Sequence, residues 1–157
     1  MYYLTVALLM FVLPIGSILF ELFASNSSQT VISLMGKWFV LWAVGARLLL
    51  AGLRQAVQPR FTAETIFGTK GEETLQVVQE LGFANISIGV IGILSILTSV
   101  WVMPAAIAGC LFYGLAGIRH AVADKRNMLE NTAMISDLFL FAVLLAYLIL
   151  QVVSTSK

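Results

Sequence analysis

Five polar side chains occur at a similar depth in a strongly apolar chain, and their types suit recognition of a polar group. Arg47 precedes Arg54 by seven residues, which places it about 10 Å deeper along a helix and on the same face. Asp137 lies about 7 Å inside the last apolar stretch, counted from the same end. The complete set comes from four apolar stretches: Arg47, Asn85, Arg119, His120 and Asp137.

Two interpretations of this set are open. In the structural one, Arg47 and Asp137 form a buried ion pair, and Asn85 satisfies the donors left over. In the functional one, they form a polar pocket that is open to the basic side and holds a lipid headgroup, a quinone or a small anion. Arg47 would then donate to an anion or carbonyl, and Asp137 would be its partner or a proton acceptor. Asn85 would orient them, and His120 would gate protonation.

Other chemistry finds little support in the residue types. The chain has one His and one Cys, so neither a histidine-rich metal site nor a thiol–disulfide pair can form within it. We predict no catalytic residue and no metal site. The structural alternative for His120 is a contact with the carbonyls that end its helix.

The composition determines the class of protein. Hydrophobic residues make up 60% of the 157 residues and charged residues 11%, and the mean hydropathy is +0.97. Soluble domains are about 25% charged, so the composition excludes a soluble enzyme, a nucleic-acid binder and a disordered linker. The net charge of +1 gives no reason to expect a nucleic-acid partner. We expect an all-α, polytopic transmembrane helical bundle that forms a single membrane domain in contact with membrane lipids.

The apolar stretches predict four to five spans. They cover residues 2–23, 34–53, 81–98, 104–120 and 133–153. The third and fourth are interpreted as two helices joined by a tight turn, and the alternative is one long helix broken near Pro104. The first is expected to be a retained helix rather than a signal peptide, because neither Lys nor Arg precedes Lys37.

Residues 60–80 predict a short amphipathic segment that lies on the membrane surface, and the alternative is a loop packed on the bundle. Within it, Thr62–Phe67 is expected to form a short helical turn that Gly68 ends. Residues 72–80 are expected to lead into the third span as a helix. At the opposite end, Glu21 ends the first span and Lys37 begins the second. They are expected to be structural, either as an ion pair or by each reaching separately into the lipid headgroups.

The positions of the basic residues predict the orientation. Six of them share one side if all five stretches span: Arg54, Arg60, Lys70, Arg119, Lys125 and Arg126. The other side has Lys37 and Lys157. The positive-inside rule therefore places the N-terminus inside and the C-terminus outside.

Small residues recur at helical spacing in the third and fourth spans, and they predict close helix packing. Ala106, Cys110 and Gly114 repeat every four residues, and Gly89 and Gly92 lie on the preceding span. These ridges allow packing within one chain, or a homo-oligomer, or a contact with a partner in a membrane complex.

Four segments carry a resemblance to known proteins: residues 36–42 with Arg47 and Arg54-Gln55, residues 59–64, residues 80–85, and residues 104–106 with 113–117. The chain resembles a family of small bacterial integral membrane proteins of unknown function, which implies the bacterial inner membrane. Residues 36–153 are more distantly similar to the DoxX-like four-helix membrane families. That similarity implies a helical bundle and a role beside membrane redox or sulfur chemistry. The leading span and the single cysteine depart from it.

Three functions are therefore expected in order of support. The first is a non-catalytic membrane protein that binds a lipid-like or quinone-like small molecule or assists a membrane complex. The second is a DoxX-like redox-accessory membrane enzyme. The third is a small-solute transporter, which is disfavoured because the outer half of the third and fourth spans offers almost no polar side chains.

Overall fold

The computed structural model describes residues 2–24, 29–69 and 71–156, so Lys70 and Lys157 of the charge count lie outside the described part. Within those ranges the chain is helical and forms no strand, which confirms the all-α prediction. The helices are α1 (residues 2–24), α2 (residues 31–57), α3 (residues 59–66), α4 (Glu72–Leu94), α5 (Val102–Ala121) and α6 (Met128–Thr155). Among the described residues, five of them are long and apolar enough to cross a membrane, and α3 is the short exception.

Polar first turns make the helices longer than the apolar stretches predict. Thr30 caps α2, and its Oγ1 accepts a hydrogen bond of 3.2 Å from the Ser33 N–H. Asn127 caps α6 in the same way, with Oδ1 2.8 Å from the Glu130 N–H. Helix α4 begins at Glu72 and includes the expected lead-in, so only the first half of residues 60–80 is a separate segment.

The uncharged run between α4 and α5 forms two helices and a tight turn, not one broken helix. Helix α4 ends at Leu94, and the Ser95 hydroxyl donates to the Gly92 carbonyl at 2.7 Å. A 3₁₀ turn at Ser99–Trp101 then leads into α5, which has Pro104 in its first turn.

Three segments of the described ranges are π-helical: Leu8–Val12 in α1, Val40–Ala46 in α2, and Phe61–Ile66 in α3. A π-helical turn is wider than an α-helical turn, so it changes the direction in which the following side chains project. The segment in α2 ends immediately before Arg47. It therefore sets the face on which that arginine lies.

Helices α2 and α4 pack backbone to backbone through glycines. A Cβ on Gly45 would lie 2.8 Å from the Gly92 carbonyl carbon, and one on Gly89 would lie 2.5 Å from the Leu49 nitrogen. The small-residue ridge of α5 closes within this chain, since a Cβ on Gly114 would meet the Phe141 ring of α6 at 2.7 Å. Close approach of this kind is how helices associate where lipid surrounds them.

The two connections at the basic end lie side by side. The Asn127 Nδ2 donates to the carbonyls of Thr65 and Ile66 at 3.0 and 3.3 Å. Thr62 and Ala63 are buried, so α3 packs on the bundle through these two residues, and its place on a membrane surface stays a prediction. Gly68 has a φ of 68° and ends the turn as expected.

The opposite end has an ion pair between α1 and α2. The Lys37 Nζ lies 2.8 Å from Glu21 Oε2. The Trp38 Nε1–H donates to the same carboxylate oxygen at 2.8 Å. This matches the structural role expected for Glu21 and Lys37.

We predict that Gly89→Ala lowers the stability of the protein by about 1–3 kcal/mol, because the added methyl group would force α4 away from the α2 backbone. Gly16→Ala is the matched control, since nothing lies within 4 Å of the position that a Cβ would take there. It should be neutral or stabilise the helix by up to about 1 kcal/mol. Thermal unfolding of both variants in detergent checks this, and equal melting temperatures would show that the α2–α4 contact is not close.

Candidate ligand-binding site

A cavity of about 410 Å³ lies at the basic end of the bundle and has wall residues from all six helices. The five residues predicted from the sequence all line it: Arg47, Asn85, Arg119, His120 and Asp137. The sequence placed them at one depth, and the structure brings their faces together. Arg54 also lines the cavity, as its seven-residue spacing from Arg47 predicts.

The centre of the site is an ion pair between α2 and α6. The Arg47 Nη2 donates to Asp137 Oδ1 at 2.9 Å, and the two side chains are 13% and 8% exposed. The same nitrogen donates to the Ser136 hydroxyl at 2.8 Å. Burying such a pair costs desolvation free energy. Removing one partner destabilises the fold still more, because it leaves an uncompensated buried charge.

Tyr113 of α5 supports this ion pair from one side. The Arg47 guanidinium lies 4.9 Å from the centre of the Tyr113 ring, within the range of a cation–π contact. The Tyr113 hydroxyl donates to the Ala43 carbonyl of α2, so the ring is fixed at both ends. The Arg47 guanidinium of α2 is therefore oriented by groups from two other helices, α5 and α6.

A buried amide pair lies beside the ion pair. The Asn85 Nδ2 donates to Gln55 Oε1 at 2.7 Å, between α4 and α2. The expectation that Asn85 would orient Arg47 and Asp137 is wrong, because the close α2–α4 packing places it against Gln55 instead. Its Oδ1 is buried and accepts no hydrogen bond from the described residues.

His120 lies where α5, α6 and the segment after α3 meet. Its Nδ1 is 3.2 Å from Glu130 Oε1, and its ring stacks on Phe67 with centroids 6.5 Å apart. The end of α5 is capped by Arg126 and not by His120. The Arg126 Nη1 donates to the carbonyls of His120, Ala121 and Ala123 at 2.8–3.1 Å.

The rim of the cavity is basic and aromatic. Arg54 and Arg119 are both exposed. The Arg54 guanidinium lies over the Phe61 ring, 3.4 Å from its centre. A group entering from this end therefore passes two arginines before it reaches the ion pair.

Gln55, Tyr113 and Ser136 belong to the site and were not predicted. Helical spacing carried a signal for two of them. Gln55 is eight residues after Arg47, and Tyr113 is seven before His120, so each shares a face with a predicted residue. Ser136 directly precedes Asp137. Successive residues of a helix project in different directions, so this position did not indicate that Ser136 shares the site.

The arrangement can bind, orient and neutralise a polar group, since it combines donors, acceptors and apolar walls. Among the described residues, no three His, Cys, Asp or Glu side chains cluster in a way that could hold a metal ion.

In the part of the chain that the structure describes, five apolar helices surround a buried ion pair, which is consistent with a multi-pass membrane protein. The chain belongs to a family of unknown function, DUF6790, whose model matches residues 4–157. No curated protein and no solved structure matches it. The expected membership in a family of unknown function is confirmed, and the similarity to DoxX-like families stays a prediction.

We predict that Asp137→Asn lowers stability by about 3–5 kcal/mol, because it leaves the Arg47 charge buried without its counterion. Adding Arg47→Met should restore part of that loss, since it removes the stranded charge. A double-mutant cycle on thermal unfolding in detergent measures this coupling.

The exposed pair Arg60–Glu72 provides the control for that cycle. Its side chains are 68% and 80% exposed and 3.0 Å apart, so Arg60→Met and Glu72→Gln should each change stability by less than about 1 kcal/mol. Additive losses at Arg47 and Asp137 would show that their contact does not stabilise the bundle.

Proposed function

We propose that this protein binds a lipid-like or quinone-like small molecule in the cavity at the basic end of the bundle. The observation that carries the proposal is one cavity in which apolar walls and buried polar groups from four helices converge. Ligand pockets occupy about 300–1,000 Å³ and combine an apolar lining with a few polar groups that fix orientation. A cavity of about 410 Å³ falls within that range.

The walls favour a ligand with an apolar body. Leu9, Leu48 and Leu81 line the cavity, as do the rings of Phe61 and Phe112. Apolar groups of this kind gain about 25 cal/mol for each Å² that a ligand removes from water. A small inorganic anion would leave these walls uncovered.

The charge balance at the centre also argues against a small anion. Asp137 already neutralises Arg47 at 2.9 Å, so the ion pair offers little net charge to a second anion. A neutral headgroup that contains oxygen can still hydrogen-bond to such a pair. A ligand with a carbonyl or hydroxyl head and an apolar tail therefore fits the site better than a small anion does.

The proposed orientation places this site in the cytoplasmic half of a bacterial inner membrane. The described basic residues at this end are Arg54, Arg60, Arg119, Lys125 and Arg126. The positive-inside rule favours the cytoplasm for such an end.

A cavity-filling variant tests this function without altering the polar groups. Ala116 lines the cavity, so Ala116→Phe should occupy it and abolish binding. Ala142 is exposed and lies away from the cavity. Ala142→Phe should therefore bind as the wild type does. The measurement is native mass spectrometry of each protein in mild detergent, with identification of any small molecule that co-purifies.

A stoichiometric small molecule in the wild type and in Ala142→Phe, absent from Ala116→Phe, is the expected result. The same occupancy in Ala116→Phe would place the ligand elsewhere. A wild type that carries only a partner subunit would favour the role of assisting a membrane complex.

A further inference from the structure

We infer that the headgroup bound in this cavity carries a hydroxyl group that donates a hydrogen bond to Asn85. The inference rests on the proposed function and specifies its ligand class. Asn85 lines the cavity and is 2% exposed. Its Oδ1 is buried and accepts no hydrogen bond from the described residues. A buried acceptor without a donor is costly, so such groups normally have a partner.

Three neighbouring protein donors are directed at acceptors other than Asn85 Oδ1. The Asn85 Nδ2 donates to Gln55 Oε1, the Tyr113 hydroxyl to the Ala43 carbonyl, and Arg47 Nη2 to Asp137 and Ser136. A ligand that offers only acceptor oxygens, such as an ether or an ester, would leave Asn85 Oδ1 without a donor. A hydroxyl group supplies the missing donor.

Gln55 makes the match to a hydroxyl more specific. Its amide group has both a donor nitrogen and an acceptor oxygen, and the oxygen is engaged by Asn85. A pair of amides joined in this way leaves one carbonyl oxygen and one whole amide nitrogen outside the hydrogen bond that joins them. If both amides are turned over, Gln55 supplies the unengaged oxygen and Asn85 the unengaged nitrogen. The pair therefore still presents one oxygen and one nitrogen. A hydroxyl complements such a pair because it donates and accepts at one atom.

The same hydroxyl chemistry has two sources in a membrane. One is a phenolic head, as in a reduced quinone, and the other is an aliphatic alcohol, as in a glycerolipid. Matched pairs of probes separate them. 4-Octylphenol and its methyl ether represent the first, and 1-decanol and its methyl ether represent the second. Within each pair, methylation removes the donor and keeps the acceptor oxygen.

The experiment is a titration of each probe by calorimetry into wild-type protein in nanodiscs, with empty nanodiscs to correct for partitioning into lipid. We expect the wild type to bind at least one hydroxyl probe about tenfold more tightly than its methyl ether, which corresponds to one hydrogen bond at a buried acceptor. The preferred pair identifies the source. This comparison requires no variant.

Variants then assign the preference to Asn85. In Asn85→Leu the ratio of the two affinities should fall to about one, because both probes then meet an apolar side chain. The double variant Asn85→Leu with Gln55→Leu should also show an affinity ratio of about one. Because it removes both amides, it leaves no Gln55 amide buried without its partner. Ser87→Ala on the exposed face of α4 is the control and should keep the wild-type ratio.

Two failures are distinguishable. If all four probes bind the wild type no better than empty nanodiscs, the proposed function fails and the inference fails with it. If probes bind saturably but each ether binds as tightly as its alcohol, the cavity is a ligand site that does not require a hydroxyl. A tenfold ratio that persists in folded Asn85→Leu would also overturn the role of Asn85.

Discussion

The charge of Arg47 is the constraint on which the bundle depends. An arginine this far inside a membrane helix is costly unless a counterion lies beside it. Asp137 supplies that counterion from α6, and the Tyr113 ring of α5 lies against the guanidinium. Helices α2, α5 and α6 must therefore meet at one point and in one register. The cavity lies on the basic side of that point, so its position follows from the position of the ion pair.

Close backbone packing determines the other polar group of the site. Gly52 and Gly82 bring α2 and α4 so near that a Cβ on Gly52 would lie 2.6 Å from the Gly82 carbonyl oxygen. Gln55 and Asn85 follow these glycines by three residues on each helix, and they meet across the interface. Packing that stabilises the bundle thus also positions an amide pair beside the ion pair. Stability and the candidate site share the same contacts.

Family membership shows what this protein is related to, whereas the geometry of the site shows what it could bind. The family model covers residues 4–157 and shows what the chain is related to, but its description carries no activity. A fold of apolar helices does not imply a function either, because function depends on the site that the fold supports. The proposed ligand is therefore supported by the cavity, by the neutralised ion pair and by the buried Asn85 oxygen. These are local features that chemistry can test directly.

Composition and the fixed rise of a helix were enough to predict the all-α class, the five apolar helices and the common depth of the five polar residues, because these are local properties of the chain. Which helix faces meet depended on tertiary structure. One wide π-helical segment before Arg47, for example, changes the direction in which every later side chain of α2 projects. The packed bundle therefore decided that Asn85 pairs with Gln55, that Ser136 joins Arg47, and that Arg126 caps α5 in place of His120. Contacts between residues far apart in the chain depend on the angle and separation of helices, and no periodicity in one helix contains that information.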